Sequence, residues 1–352
     1  MPEKTDVYYS DYLRLDAVLN AQNPESDKKG VEAHDEMLFI ITHQAYELWF
    51  KQILYELDSI TDLMEAPEVK DNSPAMQTVV HRTERIITIL RLLVDQINVM
   101  ETMTSLDFLD FRDLLRPASG FQSVQWKALE ARLGLRFEDR HGKGYYTSQL
   151  REEDVSSVKD TEQRPSLLEL LNLWLERMPY LDFLDDRADR SDPGGHPFWQ
   201  DYKKAYSESL LRIEQSNTVL FDALLFGKNE NPDRRLSSAA CRAALFIVLY
   251  RGYPLLQMPY RLMNGLLEID ELMATWRTRH MNMVHRMIGA RVGTGNSTGR
   301  AYLKAALDKH YVFSELAELN GLLVARKSLP ELPESLARML GFSGFEGFLE
   351  KK

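Results

Sequence analysis

The amino-acid sequence predicts an all-α fold, a single-domain helical bundle. Apolar residues recur at three- and four-residue spacing, as they do along one face of a helix. Alternating apolar and polar residues are scarce, and Gly and Pro collect between the periodic stretches. The spacing predicts helices over 35–66, 75–104, 164–178, 198–227, 235–251, 254–288 and 299–326.

No linker is long or polar enough to divide the chain, so one domain over 1–352 is expected. The sequence contains no repeat of solenoid length. The range 137–200 includes the loop-like runs HGKGYY and SDPGGHP and a charged stretch at 151–163, which we expect to be exposed. We therefore interpret 137–200 as a peripheral excursion from the helical domain.

Composition excludes several classes of protein. With 44% hydrophobic and 27% charged residues the chain resembles an ordinary soluble globular protein, and no apolar run approaches the roughly 20 residues that span a bilayer. The net charge of −10 argues against a nucleic-acid partner, since phosphate binding requires an excess of Lys and Arg. Because Cys241 is the single cysteine and the N-terminus lacks a signal-peptide pattern, we expect a cytoplasmic protein with no membrane partner.

Two of the predicted helices contain histidines in strongly apolar surroundings. The run 35–57 is apolar or aromatic around most of its circumference in its first half, and 269–293 carries Met, Trp and His before it ends at a glycine. A helix that is apolar on all sides is normally buried by several neighbours. Such helices are where a bundle can build a cofactor site, which makes His43, His280 and His285 the candidates.

Helical geometry separates the two histidines of the second run. Residues three, four and seven positions apart share a face, and His285 lies roughly 140° from His280 around the axis, on a more mixed surface. The residues that share the face of His280 are Met273, Trp276, Met283, Val284 and Met287, with Arg277 at its edge. The residues that share the face of His43 are Phe39, Tyr46 and Phe50. His280 and His43 are therefore the two histidines on apolar faces.

The residues alone leave the role of these histidines open. A lone histidine on an apolar face is more often a hydrogen-bonded core residue than a metal ligand. Histidine is also the usual proximal ligand where haem binds O₂, and a wall of Met and Trp suits a porphyrin face. The HExxH arrangement of zinc metalloproteases is absent from both helices.

Two further segments could bind a polar ligand. Arg112, in FRDLLRPASGFQS (111–123), offers a planar fork that matches a carboxylate, although a surface ion pair with Asp110 or Asp113 is the commoner use of such an arginine. The run 289–299, GARVGTGNSTG, is rich in Gly and hydroxyl groups and suits closure over a ligand. A helix end followed by a linker is the alternative interpretation of that run.

Four long segments resemble the tryptophan 2,3-dioxygenase family. They are YYSDYLRLDAVLNAQ (8–22), HDEMLFIITHQAYELWFKQILYELDS (34–59), FRDLLRPASGFQS (111–123) and WRTRHMNMVHRMIGARVGTGNSTG (276–299). The segments occur in the family's order and extend over nearly the whole chain. The resemblance implies a haem-dependent enzyme that adds both atoms of O₂ across the indole C2–C3 bond of L-tryptophan and yields N-formyl-L-kynurenine.

The resemblance also implies roles for individual residues. His280 matches the axial ligand of the haem iron, and His43 matches the distal histidine that meets the indole N–H. Arg112 matches the residue that binds the substrate carboxylate. The other implied substrate-site residues are Phe39 and Phe108 against the indole, Thr294 at the carboxylate or ammonium group, and Ser119 and Gly120 on the distal side of the haem.

Further implications concern the cofactor and assembly. The cofactor is expected to be haem b, ferrous in the active form and bound non-covalently because the sequence has no CxxCH motif. The family resemblance implies a homotetramer, a dimer of dimers. It also implies that the N-terminal segment 1–30 contacts a neighbouring subunit, with Tyr9 and Tyr12 reaching its site.

The sequence departs from the family's pattern at two places. Asn296 stands where the family often has a glycine, which affects backbone freedom, and Lys127 stands where it often has an arginine near a haem propionate. The change at Asn296 keeps open a relative that oxygenates a substituted tryptophan. A non-catalytic haem or tryptophan sensor and a purely structural bundle are the remaining alternatives.

Overall fold

The computed structural model describes residues 6–66, 73–137, 140, 148, 150–178, 196–227, 233–289, 291 and 311–341. The described residues form helices and turns with no strand, which confirms the all-α prediction. The α-helices are α1 Tyr9–Leu13, α2 Leu15–Leu19, α3 Glu25–Lys29, α4 Asp35–Glu65, α5 Pro74–Met100, α6 Ser105–Arg112, α7 Val124–Leu133, α8 Glu152–Glu162, α9 Leu167–Glu176, α10 Pro197–Ser209, α11 Asn217–Phe226, α12 Ser238–Leu249, α13 Gln257–Ile288, α14 Ser314–Glu318 and α15 Glu334–Leu340. Short 3₁₀ turns occupy Asp113–Leu115, Gly120–Gln122, Arg212–Glu214, Pro254–Leu256, Leu319–Leu322 and Arg326–Ser328.

The three long helices α4, α5 and α13 form the centre of the molecule. Helix α5 packs against both α4 and α13. It begins where Ser73 accepts a hydrogen bond from Met76 N–H, with Pro74 at its first position, where the missing proline N–H costs nothing. Leu90 and Leu93 of α5 are almost fully buried, as expected from their spacing on one helix face.

Helices α5 and α13 approach each other closely at Gly265. A Cβ atom at this position would lie 2.9 Å from Thr83 Cγ2. Thr83 is itself fixed, because its hydroxyl donates to the Val79 carbonyl at 2.9 Å and its side chain is buried. The absence of a side chain at 265 therefore allows the two backbones to pack at this distance.

The range 198–227, for which periodicity predicts a single helix, is two helices. Leu210 and Leu211 have extended backbone angles after α10, and the Glu214 carboxylate accepts a hydrogen bond from Leu211 N–H at 2.9 Å. This local bond starts a new turn before α11. The apolar pattern continues across the break, which is why periodicity does not detect it.

Part of the range 137–200 packs more deeply than the expected peripheral position. Ser166 and Glu169 form a reciprocal cap that starts α9. Leu171 and Trp174 of this helix are almost fully buried, and α9 packs against α12 and α4. Helix α9 is therefore part of the core, whereas the exposed charged stretch 151–163 is the largely solvated α8 with Val158 turned inward.

The C-terminal part of the described chain is attached to α13. Asp270 accepts hydrogen bonds from Val312 N–H at 3.1 Å and Phe313 N–H at 2.6 Å. Of the predicted helix 299–326, residues 299–310 lie outside the described residues, and the remainder is the short α14 and a 3₁₀ turn. None of the helices in the described part of the chain has the length and apolar character to cross a bilayer.

Candidate active site

The N-terminal half of α4 presents Phe39 and His43 toward α6. The Phe39 ring lies 4.1 Å from the His43 ring, measured between centroids, and 5.8 Å from Phe108 in a stacked arrangement. Phe111 completes the group, with its ring edge-on to Phe39 at 5.6 Å and to Phe108 at 5.4 Å. Residues from two separate sequence motifs thus form one aromatic cluster around His43.

Arg112 ends α6 beside this cluster. Helix α6 begins with a reciprocal cap between Thr104 and Asp107, which sets the helix in register so that Phe108, Phe111 and Arg112 follow on its inner side. The Arg112 side chain is buried, at 4% exposure, unlike the exposed Arg116 one turn later. A buried guanidinium next to an aromatic cluster suits the binding of an anionic group on an aromatic molecule.

The hydrogen bonding of His43 defines its protonation. Nδ1 lies 2.7 Å from the Phe39 carbonyl oxygen, so this nitrogen carries the proton and donates. Burial lowers the pKa of His43, although the bond to Phe39 offsets part of the effect. The ring is therefore neutral at pH 7, and its Nε2 lone pair is available to accept a hydrogen bond.

His280 lies in the last third of α13 and is also neutral. Burial and, to a smaller extent, the charge that His43 would carry together lower its pKa to about 4. The two histidine-bearing helices α4 and α13 meet here, because Tyr46 of α4 packs on Trp276, which stacks on His280. Both histidines are half-buried, whereas His285, on the same helix as His280, is exposed.

An aromatic layer lies behind His280. The Trp276 ring, one turn earlier, is parallel to the imidazole within 5°, with centroids 5.1 Å apart. Trp126 from α7 packs on Trp276 at 4.5 Å. Tyr46 and Phe50 of α4 meet Trp276 edge-on, at 5.9 and 6.4 Å, so the layer connects three helices.

A buried cluster of charges adjoins this layer and was not predicted. Glu130 of α7 accepts from Arg277 Nη2 at 2.8 Å, from Arg140 Nη1 at 2.5 Å and from Trp126 Nε1 at 3.1 Å. Sequence reasoning placed Arg277 at the edge of the His280 face but gave no partner for it. The sequence shows the four-residue spacing of Trp126 and Glu130 and the charge of Arg277. Neither feature predicts that Arg277 pairs with Glu130.

Lys127 lies in the same region and is buried, at 7% exposure. Burial lowers its pKa to about 8, with Glu130 opposing and Arg140 adding to the shift. The ammonium group therefore remains mostly protonated at pH 7. A buried amine that keeps its charge suits a neighbouring anionic group.

The other sequence-predicted residues are placed less centrally. Ser119 is half-buried and accepts from Phe121 N–H at 3.3 Å, while the position of a Cβ at Gly120 has open space around it. Tyr9 and Tyr12 are 71% and 75% exposed and do not reach the site within this chain. Thr294 and Asn296 lie outside the described residues.

The residues present fit a haem better than a protein-bound metal ion. In the described ranges, no group of three or more His, Cys, Asp or Glu side chains could hold a metal ion. A single neutral histidine with an aromatic layer beside it matches the donor set for a metal whose other ligands come from a porphyrin. His280 is the residue that could supply the axial ligand.

These features define an all-α protein with two neutral histidines and a buried arginine around an aromatic interior site. The sequence profile of the tryptophan 2,3-dioxygenase family matches residues 2–223 and 220–323. The chain belongs to the tryptophan 2,3-dioxygenase family, which is haem-dependent in general.

Individual relatives match nearly end to end. A tryptophan 2,3-dioxygenase of Bdellovibrio bacteriovorus is 42% identical over 356 residues, which cover 96% of this chain and 98% of that protein. A tryptophan 2,3-dioxygenase of Dictyostelium discoideum is 40% identical, covering 96% of this chain and 88% of its own length. Tryptophan 2,3-dioxygenase B of Danio rerio is 43% identical, with 94% and 85% covered.

Proposed function

We propose that the protein is a haem-dependent dioxygenase that cleaves the indole C2–C3 bond of L-tryptophan with O₂ and releases N-formyl-L-kynurenine. Family membership over almost the whole chain supports the reaction. The observation that supports the assignment to particular residues is that α4 brings His43 to the aromatic cluster and also packs, through Tyr46, on the Trp276 ring that stacks on His280.

His280 is the proposed axial ligand of haem b, which is bound non-covalently. Its depressed pKa leaves the imidazole unprotonated across the neutral range, as metal coordination requires. Ferrous haem, when bound, supplies the binding and activation of O₂. Lys127 keeps a buried positive charge at pH 7, which is suited to a haem propionate.

The aromatic cluster supports the proposed substrate contacts. His43 Nε2 accepts the indole N–H, because Nδ1 already donates to Phe39 and leaves only Nε2 as an acceptor. Phe39 and Phe108 pack against the indole ring. We assign His43 a role in orienting the substrate, with no need for it to remove a proton.

The amino-acid end of L-tryptophan is assigned to Arg112 and Thr294. The Arg112 guanidinium binds the carboxylate through two hydrogen bonds, and burial strengthens such a bond by excluding water. Thr294 contacts the carboxylate or ammonium group. Ser119 and Gly120 line the distal side of the haem, where the open space at Gly120 leaves room for a ligand.

The proposed assembly is a homotetramer, a dimer of dimers, in the cytoplasm. Tyr9 and Tyr12 are highly exposed in the single chain, as are Tyr8 and Val7 beside them. A cluster of exposed aromatic residues in 1–30 supports contact with a neighbouring subunit, whose site these tyrosines would complete. The reaction consumes no net electrons, so no reductase is needed as a partner.

A product assay tests the proposed reaction. Ferrous protein with L-tryptophan in air should form N-formylkynurenine, followed by its near-ultraviolet absorbance and identified by mass. Haem that binds without turnover of L-tryptophan would point to a sensor. Turnover only of a substituted tryptophan, or a product with one added oxygen, would point to the relative with altered specificity.

A pair of histidine variants tests the assignment of the iron ligand. His280→Ala should lose the haem Soret band while keeping its helical circular dichroism. His285→Ala, on the same helix but exposed, should keep both. Full haem occupancy in His280→Ala would refute the assignment.

A further inference from the structure

The orientation of the His280 imidazole is restricted by a stack of rings. The Trp276 ring stacks on the imidazole, parallel to within 5° at 5.1 Å, and Trp126 packs on Trp276 at 4.5 Å with the two planes 33° apart. The torsion that turns a histidine ring about its Cβ–Cγ bond is soft. A flat wall on one face therefore limits the planes that the imidazole can adopt.

No hydrogen bond supplies this restriction within the described parts of the chain, where neither ring nitrogen of His280 has a hydrogen-bond partner. Metal-binding histidines usually donate their second ring N–H to a carboxylate or carbonyl, which sets the ring plane and raises the basicity of the ligand. In this chain the ring stack is the feature that can take over the orienting role.

Glu130 holds the stack together. Its Oε1 accepts from Trp126 Nε1 at 3.1 Å and from Arg277 Nη2 at 2.8 Å. Trp126 and Glu130 are one turn apart on α7, and Arg277 directly follows Trp276 on α13. One carboxylate thus joins the two helices at the level of the Trp126–Trp276 contact.

Two further contacts fix this junction. The Arg277 guanidinium lies over the Trp126 ring, 5.6 Å from its centroid. The second oxygen of Glu130 accepts from Arg140 Nη1 at 2.5 Å. With Glu130 5% exposed and Arg277 5% exposed, the network is shielded from water, which favours one fixed geometry over several.

We propose that Glu130 is a positioning residue for His280, acting by clamping Trp126 and Arg277 so that Trp276 sets the plane of the imidazole. The inference rests on the proposed function of His280 as the axial haem ligand. It predicts that the bond between iron and histidine depends on a carboxylate that touches neither the haem iron nor the imidazole.

The test uses ferrous holoenzyme and the iron–histidine stretching band in resonance Raman spectra. Glu130→Gln keeps the size of the side chain but removes its charge, which weakens its hydrogen bonds to Trp126 and Arg277. Trp126→Phe keeps an aromatic ring but removes the Nε1–H group that donates to Glu130. Both should bind haem and show a shifted or broadened band, with the ferric–ferrous midpoint potential changed in the same variants. The KM for L-tryptophan should stay within about twofold of the wild-type value, because the Arg112 cluster is untouched.

A graded pair at position 276 checks that the stack transmits the effect. Trp276→Phe retains an aromatic wall and should give a band close to that of the wild type. Trp276→Leu removes the wall and should give the largest change. If Glu130→Gln does not accumulate as folded protein, Trp126→Phe and the two Trp276 variants test whether the ring stack orients His280.

Glu56→Gln is the matched control. Glu56 is a buried carboxylate, 2% exposed, that accepts from Gln52 at 2.7 Å and Arg85 at 2.9 Å, away from the ring stack. Glu56→Gln weakens buried hydrogen bonds of a similar kind to those of Glu130, and it should leave the iron–histidine stretching band unchanged. Equal effects of the two glutamate variants would overturn the positioning role, as would no effect in Trp126→Phe and Trp276→Leu.

Failure of this inference differs from failure of the proposed function. If His280→Ala keeps the iron–histidine band, His280 is not the ligand and the proposed function fails first. If His280→Ala loses the band while Glu130→Gln, Trp126→Phe and Trp276→Leu resemble the wild type, the ligand assignment stands and the positioning role is wrong.

Discussion

Asp270 and Phe313 are joined by a hydrogen bond of 2.6 Å from the Phe313 backbone N–H to the buried Asp270 carboxylate. The bond attaches the C-terminal part of the described chain to the middle of α13. Burial raises the pKa of Asp270 to about 6, although the hydrogen bonds from Phe313 and Val312 and the charge of Arg277 favour the ionised form.

The raised pKa of Asp270 predicts a pH-dependent contribution to stability. The folded chain holds this proton up to about pH 6, whereas an unfolded aspartate loses it near pH 3.9, so the contribution is complete below pH 3.9 and lost as pH rises through 6. Its size is roughly 3 kcal/mol, at about 1.4 kcal/mol for each pKa unit. Urea unfolding of wild type and Asp270→Asn between pH 4 and 7 measures it.

Comparing the wild type with Asp270→Asn separates the titration of Asp270 from that of the other ionisable groups. The difference in unfolding free energy, wild type minus Asp270→Asn, should fall between pH 4 and 6 and then level off. A difference that does not vary with pH would show that Asp270 has an ordinary pKa.

Gly265 should not tolerate alanine, even though alanine favours helices. The added Cβ would lie 2.9 Å from Thr83 Cγ2, a branched and buried group that cannot move aside freely. At 2.9 Å the neighbouring atoms must shift, and overpacking of this kind costs up to about 3 kcal/mol, against roughly 1 kcal/mol gained from helix propensity. Thermal unfolding should show a lower Tm for Gly265→Ala. Adding Thr83→Ser, which removes the methyl group, should restore most of the loss, and a double variant no better than Gly265→Ala would argue against the clash.

Cys241 should report on unfolding because it is the single cysteine of the chain. Its side chain is 0% exposed, and burial raises the pKa of the thiol to about 12. A thiol reagent needs the accessible thiolate, so the folded protein should not react at pH 8. Labelling across a urea series should follow the loss of helical circular dichroism, while rapid labelling without urea would contradict the buried position.

Arg112→Ala should weaken the binding of L-tryptophan. A hydrogen bond to a charged group contributes about 1.5–3 kcal/mol, which corresponds to a rise in KM of roughly 10- to 150-fold. Steady-state kinetics would measure the change. Arg116→Ala is the control, because Arg116 is exposed and pairs with Asp113 at 3.3 Å. An unchanged KM in Arg112→Ala would remove the carboxylate contact from the proposal.

The spacing of apolar residues predicted where the long helices lie and which of their side chains face the core. Three- and four-residue spacing identified α4, α5 and α13 within a few residues, because an apolar stripe is what packs a helix into a core. The same spacing separated His280 from the exposed His285. It did not detect the break after α10, where one side-chain hydrogen bond redirects the backbone without changing the apolar pattern.

The sequence patterns did not predict contacts between segments that are far apart in the chain. Arg277 and Glu130 are 147 positions apart, and no property of either segment specifies that they meet. Buried charges are also unexpected from composition, since Lys and Glu are rarely buried without a partner. The contact of Tyr46 with Trp276 likewise depends on how α4 and α13 pack.

The continuity of α13 makes its length more critical than its composition. Asp270, Arg277 and His280 lie along one 32-residue helix, and each successive residue turns the chain by about 100°. Inserting or deleting one codon between Asp270 and His280 would turn the imidazole away from α4 while leaving the attachment at Phe313 in place. We therefore expect this gene segment to accept many substitutions on its outer face and no single-residue change in length.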